Sequence, residues 1–346
     1  MSRLAERARP RARVTELVAT GAAYPSDVVD NDAFFARCRF PITDDRAALV
    51  AETRMVRRRW CAPGENTWTM ARAAVRAALA DAAADRAFDP REIDLVVVSS
   101  CSTIPGVNYP DPTNPVVADL APLVLAELGR QDGVGIDLKA AYCAGFLRGL
   151  ELCDALLDNP DYRCALLVAS DEGGRFATAE TNRSAFCFVV GDAAGAVILR
   201  KRPAAPRVGV VDALGATCVE HAELTHWGAD GRSLVVRGAR AGATGLALML
   251  DAGRRLLARN RLSGADLDWL LPAQTHVGTV EALCDGLGVP RAKLLWSGDT
   301  TGYAASASIA AALGARRADR TIARGALVLS LAVGAGMNVA GALYHA

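Results

Sequence analysis

Two kinds of segment alternate along this chain: short runs that are apolar at nearly every position, and longer alanine-rich stretches with helical spacing. Glu92-Ile-Asp-Leu-Val-Val-Val-Ser99 follows an alanine-rich predicted helix at 67–84 and a short acidic turn. Asp266-Leu-Asp-Trp-Leu-Leu-Pro272 follows a second amphipathic helix, 245–261, and a similar turn. The first half then predicts a crossover helix at 114–128, a strand at 134–141, a helix from Cys143 and a strand at 163–170. The second half predicts a helix at 279–287, a strand at 293–297, a helix at 304–315 and a strand at 325–330. Each half closes on an apolar, hairpin-like pair, 185–199 and 326–344. Charge-poor runs of branched residues suit strands covered on both faces. Two βαβ-rich halves imply an α/β chain with parallel or mixed sheets and helices outside. The proline-rich stretch 201–206 is the predicted linker, which gives halves at 14–201 and 207–346 behind a flexible tail at 1–13.

A chain of 346 residues, 51% apolar and 22% charged, can bury a large core. Its 39 basic and 38 acidic residues nearly cancel, which argues against a nucleic-acid binder or an anionic-membrane binder. Nine cysteines show no Cys-x-x-Cys pair and no zinc-type Cys/His spacing, so no metal is expected and a reducing cytoplasm fits best. The arginine-rich start has no apolar core of a secretory signal. The uncharged stretch 326–344 is about long enough to span a bilayer. Gly334-Ala-Gly336 and Asn338 interrupt it, and two buried strands joined by a glycine turn is the better reading.

The chemistry concentrates at Asp137-Leu-Lys-Ala-Ala-Tyr142-Cys143-Ala144-Gly145-Phe146, a strand that ends on a cysteine opening a helix. Free backbone N–H groups and the helix dipole favour thiolate there, so the thiol is expected below its usual value of about 8.5. A thiolate suits acyl exchange with thioesters. On these residues alone, a nucleophile and a buried structural cysteine both stand. Between the first strand and its crossover helix, four prolines in 103–115 forbid regular structure, and such a loop shapes a pocket or an interface.

The block Asp137–Leu150 resembles the active-site block of ketoacyl-ACP synthase III, of the thiolase superfamily. Val189-Val-Gly-Asp-Ala-Ala-Gly-Ala-Val-Ile-Leu199, Leu267-Asp-Trp-Leu-Leu-Pro-Ala-Gln274 and the Val333-Gly-Ala-Gly-Met337 turn are similar to further blocks of that family. The resemblance implies a thiolase fold: two duplicated βαβαβαββ halves forming a five-layered αβαβα sandwich. It implies Cys143 as the acylated nucleophile, with an oxyanion hole from the Cys143 N–H and a glycine of the turn, Gly334 or Gly336. It also implies a homodimer, no tightly bound cofactor, and acyl-ACP or acyl-CoA as substrate.

The chain departs from the family where condensation is catalysed. Condensing enzymes of the family place a histidine directly after the proline of the Asp-Trp-Leu-Leu-Pro strand; here Ala273 stands there. They place an asparagine about thirty residues on; here it is Tyr303. Loss of such donors typically costs about 10²–10³ in rate each. The pattern resembles the synthase-III-like acyltransferases of antibiotic and polyketide pathways, which move an acyl or aryl group without decarboxylative condensation. The acceptor would be an alcohol, an amine or a carrier-protein thiol, with a sugar or an aminocyclitol as examples of small-molecule acceptors. The donor would be an acyl carrier protein, a polyketide synthase or CoA. Two alternatives remain: a priming condensing enzyme with a rebuilt site, and a non-catalytic partner subunit of a heterodimer.

His276, three residues past Ala273, is the candidate general base; a surface or helix-start histidine is its plain alternative. Asp299 either orients His276, serves as the base in its place, binds a cationic acceptor, or is a solvated turn residue. Tyr303, Ala273, Tyr142, Asn108 and Tyr109 are the expected pocket residues, Tyr303 filling space or hydrogen-bonding and Tyr142 packing. The run Arg57-Arg58-Arg59 either meets the phosphate of a carrier's pantetheine arm or of CoA, or forms a solvated face.

Overall fold

Strands apolar at every position need cover on both faces, and that demand sets the layering. The computed structural model describes residues 12–38, 45–85, 88–102, 120–139, 142–174, 185–227 and 234–346. In the first half β1 (Arg13–Ala23) is followed by a small antiparallel pair, β2 (Asp27–Asp30) and β3 (Arg57–Trp60). Then come β4 (Leu95–Ser99), β5 (Val134–Leu138), β6 (Cys164–Glu172) and β7 (Asp192–Pro203), giving one sheet in the order β1-β7-β6-β4-β5. β4 is parallel to β5 and β6, while β7 runs antiparallel to β6 and β1. The second half supplies β8 (Gly209–Thr217), a small pair β9 (Thr225–Trp227) and β10 (Leu234–Val236), then β11 (Trp269–Leu270), β12 (Leu327–Gly334) and β13 (Asn338–His345). Its sheet runs β8-β13-β12-β11, with β11 parallel to β12 and the other pairs antiparallel. Strand for strand this repeats β1-β7-β6-β4, so the duplication seen in the sequence is a duplication of topology.

Three helical layers enclose the two sheets. Helix Thr67–Asp85 covers the outer face of the first sheet, and Gly238–Arg259 with Val277–Leu287 covers the outer face of the second. Between the sheets lie Gly145–Leu156 and Ala307–Ala318. The central layer is close-packed because its contact residues are small. A Cβ on Gly195 of β7 would lie 2.2 Å from the Ala310 backbone carbon, so only glycine lets that helix sit down on the sheet. One apolar cluster runs through both halves, from Leu17 and Phe146 to Ala310 and Tyr344.

Several predicted elements change. The expected strand at 293–297 shrinks to a bridge between Leu270 and Leu294, with a 3₁₀ turn, Arg291–Lys293, at its start and the Ser297 N–H given to Gln274 Oε1 at 2.7 Å at its end. The expected pair at 185–199 is a 3₁₀ turn, Ala185–Val189, followed by β7, which pairs with β6 and β1 instead. Lys201 belongs to β7, not to a linker: it is buried, with Nζ 3.3 Å from Asp154 Oδ1 and 2.7 Å from Asp158. Residue 13 opens β1 rather than closing a tail. The uncharged stretch 326–344 is β12 and β13 in antiparallel register around a turn with Gly336 at φ +83°. Among the described residues, no helix is long and apolar enough to cross a membrane.

Candidate active site

The polypeptide reaches Cys143 through a strained step. Tyr142 adopts φ +44°, a left-handed conformation that costs a non-glycine residue about 1–2 kcal/mol. The 3₁₀ turn Tyr142–Ala144 then passes into helix Gly145–Leu156, and it packs against β12 and β13 of the other half. A Cβ on Gly145 would lie 1.9 Å from Ser99 Oγ and 3.2 Å from Ser99 Cβ, so glycine lets the elbow sit against the end of β4 without moving that serine. Tyr142 is therefore part of the elbow that presents the thiol, as well as a wall residue of the cavity.

Burial pushes the Cys143 thiol up to about 11, which reverses the expectation of a depressed value. The Tyr303 hydroxyl, hydrogen-bonded to the sulfur, pulls the other way; the Asp171 carboxylate adds to the rise, and the Cys143 N–H opposes it. Desolvation outweighs the helix terminus, so the resting cysteine is a thiol at neutral pH.

Tyr303 is held on every side. Its N–H donates to Val189 O at 2.7 Å, its carbonyl accepts from Gly191 N at 3.0 Å, and its ring meets Phe186 edge to face at 5.7 Å. Burial, then the neighbouring Cys143, raise the phenol well above 10, so it stays protonated and donates to sulfur. Ala273 presents only a methyl group to the cavity, and its N–H is spent on Leu331 O at 2.9 Å.

Two neighbours escaped the sequence reading. Asp171, at the end of β6, accepts from Cys101 N at 2.8 Å, Ser102 Oγ at 3.1 Å, Ser306 N at 2.9 Å and Ser306 Oγ at 2.5 Å. This carboxylate ties the ends of β4 and β6 to the segment after Tyr303, and so joins the two halves behind the thiol. Cys101 and Asp171 both line the cavity. The available signal was Asp171-Glu172 closing an otherwise apolar run, at a strand's carboxyl end where α/β sites form.

Other candidates move. His276 caps helix Val277–Leu287, its Nδ1 accepting from Gly278 N at 3.2 Å, which places the ring proton on Nε2. Nε2 lies 3.5 Å from Glu52 Oε1, so the neighbouring carboxylate is Glu52 and not Asp299. Asp299 does not line the cavity; its carboxylate accepts from Thr300 Oγ1 at 3.3 Å and its carbonyl from Val56 N at 2.8 Å. Gly334 lines the cavity beside Ala335, while Gly336 supplies the turn's left-handed φ.

Arg58 is not a phosphate ligand. It is fully buried between the rings of Phe34 and Phe188, at 4.8 and 4.7 Å. Its guanidinium donates to Asp30 O at 2.9 Å, Phe188 O at 3.0 Å and Asn31 Oδ1 at 3.0 Å, and burial lowers its pKa to about 10. Strand alternation in β3 leaves Arg57 exposed and Arg59 half-buried. Asn108, Tyr109 and the rest of the 103–115 loop lie outside the described residues.

Cys143, Tyr303, Ala273, Tyr142, His276 and Gly334 face a cavity of about 920 Å³. That volume lies within the range of small-molecule sites. A five-layered αβαβα core with a cysteine opening its central helix defines an acyl-transferring enzyme of the thiolase superfamily. Residues 136–223 match the family model for 3-oxoacyl-[acyl-carrier-protein (ACP)] synthase III, and 257–346 match its C-terminal counterpart. The β-ketoacyl-[acyl-carrier-protein] synthase III of Rhodospirillum rubrum is 31% identical over 93% of this chain and 96% of its own length. That of Bordetella petrii is 30% identical over 93% and 95%. The chain belongs to the β-ketoacyl-[acyl-carrier-protein] synthase III family. Among solved structures, the priming β-ketosynthase from the R1128 polyketide biosynthetic pathway superposes with a TM-score of 0.82 at 28% identity, over 97% of this chain and 98% of that one. The synthase III of Aquifex aeolicus VF5 shares the fold, with a TM-score of 0.82 at 22% identity over 96% and 100%.

Proposed function

We propose that this chain is a synthase-III-type acyltransferase that works through an acyl-Cys143 thioester and does not perform decarboxylative condensation. The carrying observation is the hydrogen bond from Tyr303 to the Cys143 sulfur, in a cavity to which Ala273 offers only a methyl group. A thiol and one phenol suffice for acyl exchange. Stabilising an enolate needs donors aimed past the sulfur, and neither Ala273 nor a sulfur-bound Tyr303 supplies them.

In the first step Cys143 Sγ attacks the carbonyl carbon of an acyl or aryl thioester, from a carrier protein or from CoA. The new C–S bond forms, the donor C–S bond breaks, and the thiol proton ends on the leaving pantetheine sulfur. The Cys143 N–H and a backbone N–H at Gly334 hold the tetrahedral oxyanion. In the second step an alcohol, an amine or a carrier-protein thiol attacks the acyl-enzyme, and its proton returns to Cys143. His276 becomes a base only by releasing its cap to Gly278, so an amine acceptor, which needs less help than an alcohol, fits the site better. Arg57 and Arg59 remain available to a carrier or CoA phosphate. A homodimer and a polyketide or antibiotic setting go with this reading.

Intact-mass spectrometry after incubation with a panel of acyl and aryl thioesters tests it. One acyl adduct per chain is expected, absent in Cys143→Ala and discharged by a nucleophilic acceptor. A Cys143 that no thioester acylates would overturn the proposal and favour a non-catalytic partner subunit. The second reading, a priming condensing enzyme, draws on the likeness to the R1128 priming β-ketosynthase. Release of CO₂ from a malonyl thioester by the acylated enzyme would favour it.

A further inference from the structure

A second cluster of reactive side chains lies outside the cavity wall. β8 ends at Thr217, and Cys218 caps a 3₁₀ turn, Val219–Leu224, whose first bond runs from His221 N to Cys218 O at 3.1 Å. Three residues per turn put Cys218 and His221 on one face, and Glu220 folds back so that Cys218 Sγ donates to its Oε1 at 3.5 Å. The sulfur, a carboxylate oxygen and a ring nitrogen all lie within 4.8 Å of one another. The Nδ1 of His221 is closed off from solvent and has no hydrogen-bond partner. A tetrahedral zinc centre, with Zn–S of about 2.3 Å and Zn–O or Zn–N of about 2.0–2.2 Å, needs ligand atoms about 3.3–3.7 Å apart. The observed 3.5 Å between sulfur and oxygen already meets that requirement.

We propose that Cys218, Glu220 and His221 form a three-ligand zinc site with one position open to water. A thiolate with an imidazole selects zinc over magnesium or calcium. Binding displaces the Cys218 proton to solvent and trades the Cys218–Glu220 hydrogen bond for two coordinate bonds. The site would brace the active cavity from outside. Cys218 N donates to Met337 O at 2.9 Å, and Cys218 packs with Leu224, Ala241 and Met337, the last two of which line the cavity.

The test is calorimetric titration of the full chain, stripped with a chelator, with Zn²⁺ and separately with Mg²⁺. One zinc per chain and no magnesium are expected. Affinity should fall at least about tenfold in Cys218→Ser and in His221→Ala. Cys143→Ala should bind zinc as the parent does, which separates this site from the active cysteine. Co²⁺ in place of Zn²⁺ should give a sulfur-to-metal charge-transfer band that Cys218→Ser abolishes. If Cys218→Ser fails to fold by circular dichroism, His221→Ala and the exposed Glu220→Gln carry the comparison. No stoichiometric zinc, equal affinity in all variants, or loss only in Cys143→Ala would overturn the proposal.

Discussion

Replacing Tyr303 with phenylalanine removes one oxygen atom and keeps the ring, its contact with Phe186 and both backbone hydrogen bonds. What is lost is the hydroxyl donor to the Cys143 sulfur. A hydrogen bond to a charged acceptor contributes about 1.5–3 kcal/mol, and one pKa unit corresponds to about 1.4 kcal/mol. Cys143, already at about 11, should therefore titrate about one to two units higher in Tyr303→Phe. Below the titration point the thiolate fraction then falls about 10- to 100-fold. A more basic sulfur is intrinsically more nucleophilic, which recovers about half of that change on a logarithmic scale. The expected net loss in Cys143 alkylation rate is about 3- to 10-fold at fixed pH. The assay is iodoacetamide labelling of Cys143, followed by peptide mass spectrometry from pH 7 to 10, with Tm measured in parallel to show that the fold is intact. An unchanged or faster rate in Tyr303→Phe would refute the hydrogen-bonding role and leave Tyr303 as filling only.

Arg58→Ala should destabilise the chain by about 2–4 kcal/mol in urea unfolding, because carbonyls of Asp30 and Phe188 lose their donor inside the core, while Arg57→Ala should change stability by less than about 0.5 kcal/mol. His276→Ala should leave Cys143 acylation unchanged and cost about 1 kcal/mol through the lost helix cap; a collapse of acylation by mass spectrometry would restore the histidine to the chemistry. Alkaline conditions should lower Tm. Cys143, Cys164 and other desolvated thiols titrate higher in the fold than in the unfolded chain, Cys143 at about 11 and Cys164 at about 12. The unfolded chain therefore loses its protons first, so this stability is complete below about pH 8.5, where free thiols titrate, and declines as pH rises through those folded values. Differential scanning calorimetry between pH 7 and 11 should show a progressive fall, and a flat profile would contradict the buried-thiol assignments.

The sequence by itself determined what depends on local pattern. Apolar runs long enough to be strands, helical spacing between them and the repeated helix–turn–strand order were enough to place most elements and the duplication. The Cys143 elbow was legible because strand, small residues and helix start are contiguous, and family spacing singled out Ala273 and Tyr303, both of which line the cavity. Three things came only from the tertiary structure. The Cys143 titration depends on burial by both halves, and local helix electrostatics pointed the wrong way. The partners of His276 and Tyr303 sit on segments far away in the chain: Glu52 for the first, Cys143 and the 186–191 segment for the second. The fate of Arg58 was decided by Phe34 and Phe188 closing over it, although in sequence it is one of three adjacent arginines. Hydrogen bonds, desolvation and charge act over a few ångströms of space, and a linear pattern records those distances only where the chain has no room to fold back on itself.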